Sequence, residues 1–181
     1  MTLTLSTMLP LQSQAPDFKL LNVNTNELAE LNSLKSPIAT VIMFICNHCP
    51  YVKHIQQKLV EVAEAYQAKG MHFIAISSNN IATHPDDAPD KMREQHYPFP
   101  YLYDETQDVA RAYQAACTPD FYCFDAHLRC VYRGRFDEAT PGNNQPVTGK
   151  DLTDALDAVL AGQPIATDQH PSIGCNIKWK H

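Results

Sequence analysis

The sequence predicts an α/β fold in which a central mixed β-sheet is flanked by helices. Three observations support this prediction. Residues 38–45 form an almost unbroken apolar run, which is typical of a strand buried on both faces of a sheet. From Pro50 onward apolar residues recur at helical spacing, and Gly70 is a helix stop signal. Strand and helix patterns then alternate until a predicted hairpin and a last helix close the domain.

The chain has 181 residues, which is enough for one domain with short extensions. We expect a flexible lead-in over residues 1–16 and a single domain over residues 17–163. Residues 164–181 have no clear periodicity, and we expect them to be a C-terminal tail that packs on the domain. The sequence contains no evident internal repeat.

The apolar segments of the domain predict its elements in order. A short strand, a turn and an apolar return over residues 18–34 predict a hairpin at the start. Pro50 suits the first turn of a helix, because its missing N–H has no partner there. Further strands are predicted at residues 38–45, 73–76, 101–103, 121–124 and 128–133. Helices are predicted from Pro50 to Gly70 and at 105–116 and 150–160, with a weak helix at 90–96.

The charge balance excludes two classes of partner. The formal net charge is −6, which argues against nucleic acid or an anionic membrane as the main partner.

Residues 1–16 contain no Lys or Arg and no long apolar core, so they are a poor secretory signal. No later segment approaches a membrane span. We therefore expect a cytoplasmic location.

Two cysteines occupy a chemically informative position. Six cysteines are too few for a disulfide scaffold in a chain of this size. Cys46 and Cys49 lie three residues apart where the apolar strand gives way to the helix. This spacing puts two side chains on one side of a helical turn, within reach of a disulfide. The pair is therefore predicted to be redox-active.

The expected helix makes the two thiols unequal. Cys46 is predicted at the helix start, where backbone N–H groups stabilise a thiolate. His48 can favour this thiolate further when it is protonated. We expect Cys46 to be an exposed nucleophile and Cys49, one turn inside, to be the resolving thiol. No carboxylate lies on the strand at 38–45 that could accept a proton below the motif.

The alternative roles of Cys46 and Cys49 are half of a zinc site or two inert thiols. A four-cysteine zinc site needs a second close pair of ligands, which the remaining cysteines do not form in sequence. We therefore favour redox chemistry and expect no metal. The remaining cysteines are Cys117, Cys123, Cys130 and Cys175.

The strand, the C-x-x-C motif and the helix together resemble the thioredoxin superfamily. Thr118-Pro119, just before a predicted strand, is similar to the cis-proline segment of that superfamily. The resemblance implies that Thr118 and Pro119 lie against Cys46, and that the backbone before the proline binds substrate. Within the superfamily, Ala15-Pro16-Asp17-Phe18 and the wide gap from Cys49 to Pro119 resemble the redoxin, or AhpC/TSA-like, branch. This implies an N-terminal hairpin extension and an inserted βα unit.

Four further motifs resemble a bacterial family of redoxin-like proteins with a C-N-H-C motif. The resemblance spans nearly the whole chain, although only the C-x-x-C and the Thr-Pro carry chemistry. The four motifs are Cys49-Pro50-Tyr51-Val52, Thr118-Pro119-Asp120-Phe121, Tyr132-Arg133-Gly134 and Ile173-Gly174-Cys175.

These observations favour a thiol–disulfide oxidoreductase. Cys46 attacks a substrate disulfide, Cys49 resolves the mixed disulfide, His48 tunes the thiolate, and Thr118 with Pro119 docks the substrate. The expected partners are protein or small-molecule disulfides and a thiol reductant or oxidant. No cofactor is expected beyond the disulfide of the pair. The resemblance implies a less reducing potential than that of thioredoxin, because disulfide-forming members also carry His before the second cysteine.

A cysteine peroxidase is the first alternative. Peroxiredoxins carry P-x-x-x-T-x-x-C, and neither Cys46 nor Cys49 has the required Pro and Thr upstream. Peroxidase activity would therefore need support from one of three later arginines, Arg129, Arg133 and Arg135. A non-catalytic or metal-binding module with this fold is the second alternative.

The sequence gives less evidence for a function of the other four cysteines. Cys117 adjoins the predicted cis-proline and Cys175 lies in the tail, so each is either an accessory thiol or an inert one. Cys123 and Cys130 are predicted to lie opposite each other in the hairpin, with Cβ atoms about 4.5–5.5 Å apart. Two packed free thiols are favoured there over a disulfide.

Overall fold

A computed structural model describes residues 2–181 of the protein. The helices are α1 (Leu31–Leu34), α2 (Pro50–Gln67), α3 (Pro89–Arg93), α4 (Asp108–Ala112) and α5 (Lys150–Leu160), and a 3-10 turn spans Pro85–Asp87. The strands are β1 (Leu3–Leu5), β2 (Lys19–Asn22), β3 (Glu27–Glu30), β4 (Ala39–Phe44), β5 (His72–Ser77), β6 (Tyr101–Tyr103), β7 (Cys117–Thr118), β8 (Asp120–Asp125), β9 (Cys130–Gly134) and β10 (Ile173–Asn176).

The central sheet has seven strands in the order β3-β2-β6-β5-β4-β8-β9. It is mixed, because β4 runs parallel to β5 and antiparallel to β8. All six residues of β4 are buried, as the continuous apolar run predicts. The sheet separates two hydrophobic clusters, one containing the inner face of α2 and α5 and the other containing residues of α1 and α4. The predicted mixed α/β architecture is confirmed.

Helix α2 packs on this sheet through the predicted apolar stripe. All five residues of the stripe are buried, and Leu59 among them is completely inaccessible to solvent. The opposite face of α2 is largely exposed, so the helix is amphipathic. Across residues 2–181, no helix combines the length and the apolar character that crossing a membrane requires. The buried stripe consists of Val52, Ile55, Leu59, Val62 and Tyr66.

The two predicted additions to the sheet are present. β2 and β3 form an antiparallel hairpin at one edge, as predicted. Two strand–helix units, β5 with α3 and β6 with α4, lie between α2 and Pro119, which accommodates the inserted unit. α4 is shorter than predicted, because Gln107 and Gln114 adopt left-handed backbone conformations with φ of 68° and 55°. Residues in that conformation cannot continue a helix.

The predicted register of the β8–β9 hairpin is wrong. Cys123 lies opposite Tyr132, and Phe124 lies opposite Cys130, with a register shift between Cys123 and Phe124. Such an irregularity moves the following side chains relative to their partners. Cys123 and Cys130 therefore belong to different hydrophobic clusters on the two faces of the sheet.

The two ends of the chain pair with each other and with the Thr-Pro segment. Residues 1–16 are expected to be a flexible lead-in, but β1 pairs antiparallel with β10, placing Leu3 opposite Cys175. β10 in turn pairs antiparallel with β7, placing Cys175 opposite Thr118. The tail therefore contains the central strand of a small three-stranded sheet. This second sheet lies across the segment that contains the Thr-Pro motif.

Replacement of Leu59 with Ala tests the packing of α2. The substitution removes a fully buried side chain, and we expect it to lower the free energy of unfolding by about 2–5 kcal/mol. Gln57→Ala, at an exposed position of the same helix, is the control and should change that free energy by no more than about 0.5 kcal/mol. Urea unfolding measures both values. Equal effects of the two substitutions would contradict the packing described.

Candidate active site

The loop between β4 and α2 carries the two thiols of the predicted pair. The N–H of Ile45 still donates to the carbonyl of Ile76 at 3.0 Å, so the sheet supports the chain up to the residue before Cys46. Helix α2 begins at Pro50, directly after Cys49. A buried strand and a long helix therefore fix both ends of the loop.

Cys49, not Cys46, lies at the start of the helix. Cys49 is the N-cap residue of α2, and its carbonyl accepts hydrogen bonds from the N–H groups of Val52 and Lys53 at 3.1 and 3.0 Å. The prediction that Cys49 lies one turn inside the helix is therefore wrong. Proline is favoured at the first helical position. Pro50 was the signal in the sequence that could have placed Cys49 correctly.

Both thiols are buried. Cys46 is 1% exposed and Cys49 is 0% exposed, so the prediction of an exposed Cys46 is wrong. Asn47 and His48, which separate the two cysteines, are partly exposed, and 19% of the His48 side chain is accessible. The route from solvent to the sulfur atoms therefore passes closest to these two residues.

Thr118 and Pro119 lie against the cysteine pair, as the resemblance implies. The Thr118–Pro119 peptide bond is cis. The sulfur of Cys46 is 3.5 Å from Thr118 Oγ1, and the thiol of Cys49 is 3.4 Å from the carbonyl oxygen of Thr118. One residue therefore contacts both sulfur atoms, through its side chain and through its backbone.

Asp87 is a site residue that the sequence analysis missed. Its side chain is completely buried beneath the cysteine loop. Oδ1 accepts hydrogen bonds from the backbone N–H groups of Asn47 at 2.7 Å and His48 at 3.2 Å. Oδ2 accepts from Asn79 Nδ2 at 2.9 Å and lies 2.5 Å from His48 Nδ1. This carboxyl group therefore holds the loop and orients the imidazole.

The hydrogen bonds keep the Asp87 side chain ionised. Burial raises the pKa of Asp87, but hydrogen bonds from His48 and Asn79 and the N–H of Asn47 outweigh burial and lower it. His48 Nδ1 is also 3.7 Å from the sulfur of Cys46, so the imidazole lies between the carboxylate and the thiol. His48 therefore lies beside Cys46, and Asp87 places a buried carboxylate near the motif although β4 contains none.

The surroundings shift the pKa values of the two thiols in opposite directions. A hydrogen bond from Cys46 lowers the pKa of Cys49 despite burial, and hydrogen bonds from Cys175 and Thr118 act in the same direction. The same bond raises the pKa of Cys46, and burial and the negative charge of Asp87 raise it further. Cys49 therefore has the lower pKa of the two thiols, whereas the sequence analysis expected the lower pKa at Cys46.

The two possible accessory thiols lie at different places. The sulfur of Cys175 is 2.7 Å from the sulfur of Cys49, in direct contact with the pair. Cys117 lies behind the cis-proline, with its sulfur 3.9 Å from the carbonyl oxygen of Pro119. Burial raises the pKa of Cys117, so this thiol is protonated. Of the two, Cys175 joins the site directly.

The three arginines considered for a peroxidase bond to groups outside the site. Two donate to backbone carbonyls of the N-terminal segment and one pairs with a carboxylate of α5. None of these three side chains therefore supplies the arginine that stabilises a peroxidatic thiolate. The pairs are Arg129 with Gln12 at 3.5 Å, Arg133 with Leu9 at 2.8 Å and Arg135 with Asp151 at 2.5 Å.

Cys46, His48 and Asp87 also offer three donor atoms within 4.8 Å of one another. His48 Nδ1 and Asp87 Oδ2 are only 2.5 Å apart, which is a hydrogen-bond distance. Two ligands bound tetrahedrally to zinc, with bonds of about 2.0–2.2 Å, are farther apart than this. In this conformation His48 and Asp87 are hydrogen-bonded to each other and are not arranged as a pair of metal ligands.

Residues 11–133, more than half of the chain, match the AhpC/TSA family. The chain belongs to the AhpC/TSA family. A search of curated proteins found no match. The match includes the cysteine pair, Asp87 and the cis-proline, and it ends before β10.

Solved structures have the same fold as this chain. An uncharacterized conserved protein from Geobacillus kaustophilus superposes with a TM-score of 0.97 at 55% identity, covering 99% of this chain and 97% of that one. A hypothetical protein from Sinorhizobium meliloti 1021 has a TM-score of 0.94 at 43% identity, with 98% of each chain covered. The thioredoxin domain of a thiol-disulfide oxidoreductase from Bacteroides vulgatus has a TM-score of 0.60 at 16% identity, covering 81% of this chain and 98% of that one. The predicted thioredoxin-like fold of the redoxin branch is confirmed.

Replacement of Asp87 with Asn tests how the cysteine loop is held. Loss of the charged acceptor should lower the free energy of unfolding at pH 7 by about 2 kcal/mol. The folded-state pKa of Asp87 lies below its ordinary value of about 3.9. Its contribution is therefore present above that value and is lost as the pH falls through the lowered pKa. The difference between wild type and variant should shrink below about pH 4.

Asp86→Asn is the matched control for this measurement. Asp86 is exposed and precedes Asp87, and only its backbone carbonyl contacts the loop, accepting from Asn47 Nδ2 at 2.8 Å. The control should therefore leave stability nearly unchanged at both pH values. If Asp86→Asn and Asp87→Asn behave alike in urea unfolding at pH 7 and below pH 4, the role of Asp87 is wrong.

A pH titration of thiolate absorbance in the ultraviolet tests which sulfur carries the charge. The reduced protein should retain a thiolate well below the ordinary cysteine pKa of about 8.5. Cys49→Ser should abolish this low-pH transition, whereas Cys46→Ser should keep it because a hydroxyl can donate in place of the thiol. Cys130→Ser is the control, since burial raises the pKa of Cys130. Loss of the transition only in Cys46→Ser would place the thiolate on Cys46.

Proposed function

We propose that the protein is a thiol–disulfide oxidoreductase in which Cys46 and Cys49 alternate between dithiol and disulfide. The observation that carries this proposal is that the two thiols at the strand-to-helix turn both lie against the residue before the cis-proline. The sulfur of Cys46 is 3.5 Å from Thr118 Oγ1, and the sulfur of Cys49 is 3.4 Å from the carbonyl oxygen of Thr118. A thiolate next to a second thiol is the arrangement from which a disulfide forms by exchange.

Cys46 is the proposed nucleophile, and Cys49 is the proposed base that removes its proton. The Cys49 thiolate takes the proton of Cys46, and the Cys46 thiolate attacks one sulfur of the substrate disulfide. The substrate disulfide breaks, and its other half leaves as a thiolate that takes up a proton. Cys49 then loses its proton and attacks Cys46, which releases the second substrate thiol. The protein disulfide that remains is reduced by an external thiol partner.

His48 and Asp87 are the proposed positioning residues for this exchange. His48 Nδ1 lies between the carboxylate and the sulfur of Cys46, at 2.5 Å and 3.7 Å respectively. A proton on this nitrogen can be directed toward the sulfur when negative charge develops there. Thr118 Oγ1, 3.5 Å from the same sulfur, is a second donor to that charge.

Small disulfides are the proposed substrate class. The sulfur atoms are buried, and the backbone of Thr118, where substrate docking is expected, already pairs with Cys175 in β10. A protein substrate cannot pair with that edge while β10 occupies it. A cavity of about 260 Å³ has Pro119 and Tyr51 in its wall, so space for a small molecule lies beside the cis-proline.

Peroxide reduction is a second candidate function, and burial is the observation that favours it. A buried thiolate is reached more easily by a molecule the size of hydrogen peroxide than by a protein. Against it, the candidate arginines bond elsewhere, as described above. This leaves the Cys49 thiolate without the cationic support that peroxiredoxins give their cysteine, so disulfide exchange remains the first proposal.

Activity assays on cysteine variants test the proposal. Wild-type protein is expected to reduce glutathione disulfide faster than it reduces insulin disulfides, because the site is buried. Cys46→Ser and Cys49→Ser should each lower exchange by roughly 100-fold or more, because each removes a sulfur that forms a covalent bond in the cycle. Cys130→Ser, a buried cysteine of the opposite cluster, should retain activity.

Two outcomes would contradict this assignment. Exchange that persists in Cys46→Ser would exclude Cys46 as the nucleophile. Peroxide consumption far above that of a free thiol, with little disulfide exchange, would favour the peroxidase. Trapping of a mixed disulfide with glutathione should succeed at Cys46 in the Cys49→Ser variant, since no resolving thiol remains.

A further inference from the structure

β10 crosses the candidate active site and is fixed on both sides of it. Ser172, just before the strand, donates from Oγ to the carbonyl of Pro119. Just after the strand, the N–H of Ile177 donates to the carbonyl of Ala116 at 3.1 Å. These two bonds bracket β7. The position of Cys175 on β10 is therefore set by strand register.

Gly174 allows β10 to approach the cis-proline segment closely. A Cβ atom at this position would lie 1.9 Å from the carbonyl oxygen of Thr118 and 2.8 Å from its carbonyl carbon. These atoms belong to the backbone and cannot move aside as a flexible side chain can. The close approach therefore requires glycine, and it brings the next residue, Cys175, to the pair.

Cys175 contacts the sulfur of Cys49. Its sulfur is 2.7 Å from that of Cys49, whereas a covalent S–S bond is about 2.05 Å. The N–H of Tyr51, in the first turn of α2, also faces the sulfur of Cys175. Cys175 is 1% exposed, so reagents in bulk solvent do not reach its sulfur. Cys49 is within its reach. Cys49 therefore has two sulfur neighbours, Cys46 and Cys175.

We propose that Cys175 is a third redox thiol, which takes the disulfide over from Cys46 by bonding to Cys49. The proposal rests on the proposed function, because the Cys46–Cys49 disulfide is its starting state. β10 then occupies the position that a bound substrate would take. It pairs with the backbone of Thr118 and presents a cysteine to the pair.

The proposed step is an internal thiol–disulfide exchange. The thiolate of Cys175 attacks the sulfur of Cys49, the Cys49–Cys175 bond forms, and the Cys46–Cys49 bond breaks. Cys46 leaves as a thiolate and takes up the proton that Cys175 has lost. One disulfide and one thiol are present before and after the step, so no external oxidant or reductant is needed. The product has a free Cys46 beside His48 while the protein remains oxidised.

Tryptic mapping can distinguish the two disulfides. Cys46 and Cys49 lie together in the peptide 36–53, and Cys175 lies in the peptide 151–178. The Cys46–Cys49 disulfide therefore stays within one peptide, whereas the Cys49–Cys175 disulfide links two. Full-length reduced protein is oxidised with one equivalent of diamide and quenched in acid. Free thiols are then alkylated, and the digest is analysed by mass spectrometry without reduction.

We expect linked peptides 36–53 and 151–178 in the wild type. They should make up at least about one tenth of the oxidised protein, since a tenfold difference in population corresponds to only about 1.4 kcal/mol. The link should persist in Cys46→Ser, where diamide joins Cys49 to Cys175 directly, and should be absent from Cys49→Ser and Cys175→Ser. Cys117→Ser is the control and should keep the link, although Cys117 adjoins Thr118.

Gly174→Ala provides a second test in which every thiol is retained. The added Cβ should move β10 away from Thr118 and lower the linked fraction at least about tenfold, while the disulfide within peptide 36–53 still forms. An unchanged linked fraction would contradict the role of the close approach. Circular dichroism establishes that the variant is folded.

The outcomes separate this inference from the proposed function. If the disulfide within peptide 36–53 forms but linked peptides are missing from the wild type and from Cys46→Ser, Cys175 is an inert packed thiol and the inference is wrong. The proposed function survives that result. If neither disulfide forms, the proposed function fails together with the inference that rests on it.

Discussion

Close packing around Thr118 is the constraint on which the site depends. Its hydroxyl faces the sulfur of Cys46, its carbonyl oxygen faces the thiol of Cys49, and its backbone pairs with Cys175. The cis bond to Pro119 turns the chain directly after this residue, before β8 enters the sheet. Three sulfur atoms from two distant segments are therefore ordered around one residue. Gly174 completes the arrangement, because only a residue without Cβ fits against the same carbonyl.

Charge is distributed unevenly across this packed site. The Asp87 carboxylate lies on the side of Cys46, whereas the first turn of α2 and its N–H groups lie on the side of Cys49. Negative charge on sulfur is therefore disfavoured at Cys46 and favoured at Cys49. Burial increases the difference, because electrostatic interactions are stronger where water is excluded. In the proposed exchange, Cys46 therefore acts as a nucleophile only after it has lost its proton, and Thr118 Oγ1 and His48 Nδ1 lie 3.5 and 3.7 Å from its sulfur.

The sequence allowed those parts of the molecule to be predicted that depend on local pattern. The continuous apolar run of β4 and the helical stripe of α2 are visible within single segments, and the cysteine pair lies between them. Asp87 could not be found in this way, since it belongs to a polar segment about forty residues from the loop that it holds. β10 has only four residues, one of them glycine, and is too short to show the alternation of apolar and polar residues that predicts a strand. This strand forms only because β1 and β7 supply partners on both sides.

Burial of the thiols and their reactivity are linked through β10. By covering the edge of Thr118, the strand excludes water and protein chains from the sulfur atoms. In the same position it brings the sulfur of Cys175 to 2.7 Å from that of Cys49. In the proposed function, a site closed in this way exchanges with small disulfides and with Cys175. Opening it to a protein disulfide requires β10 to leave Thr118, which also breaks the bonds from Ser172 and Ile177. Displacement of β10 would therefore expose Cys49 and remove its internal partner in a single step.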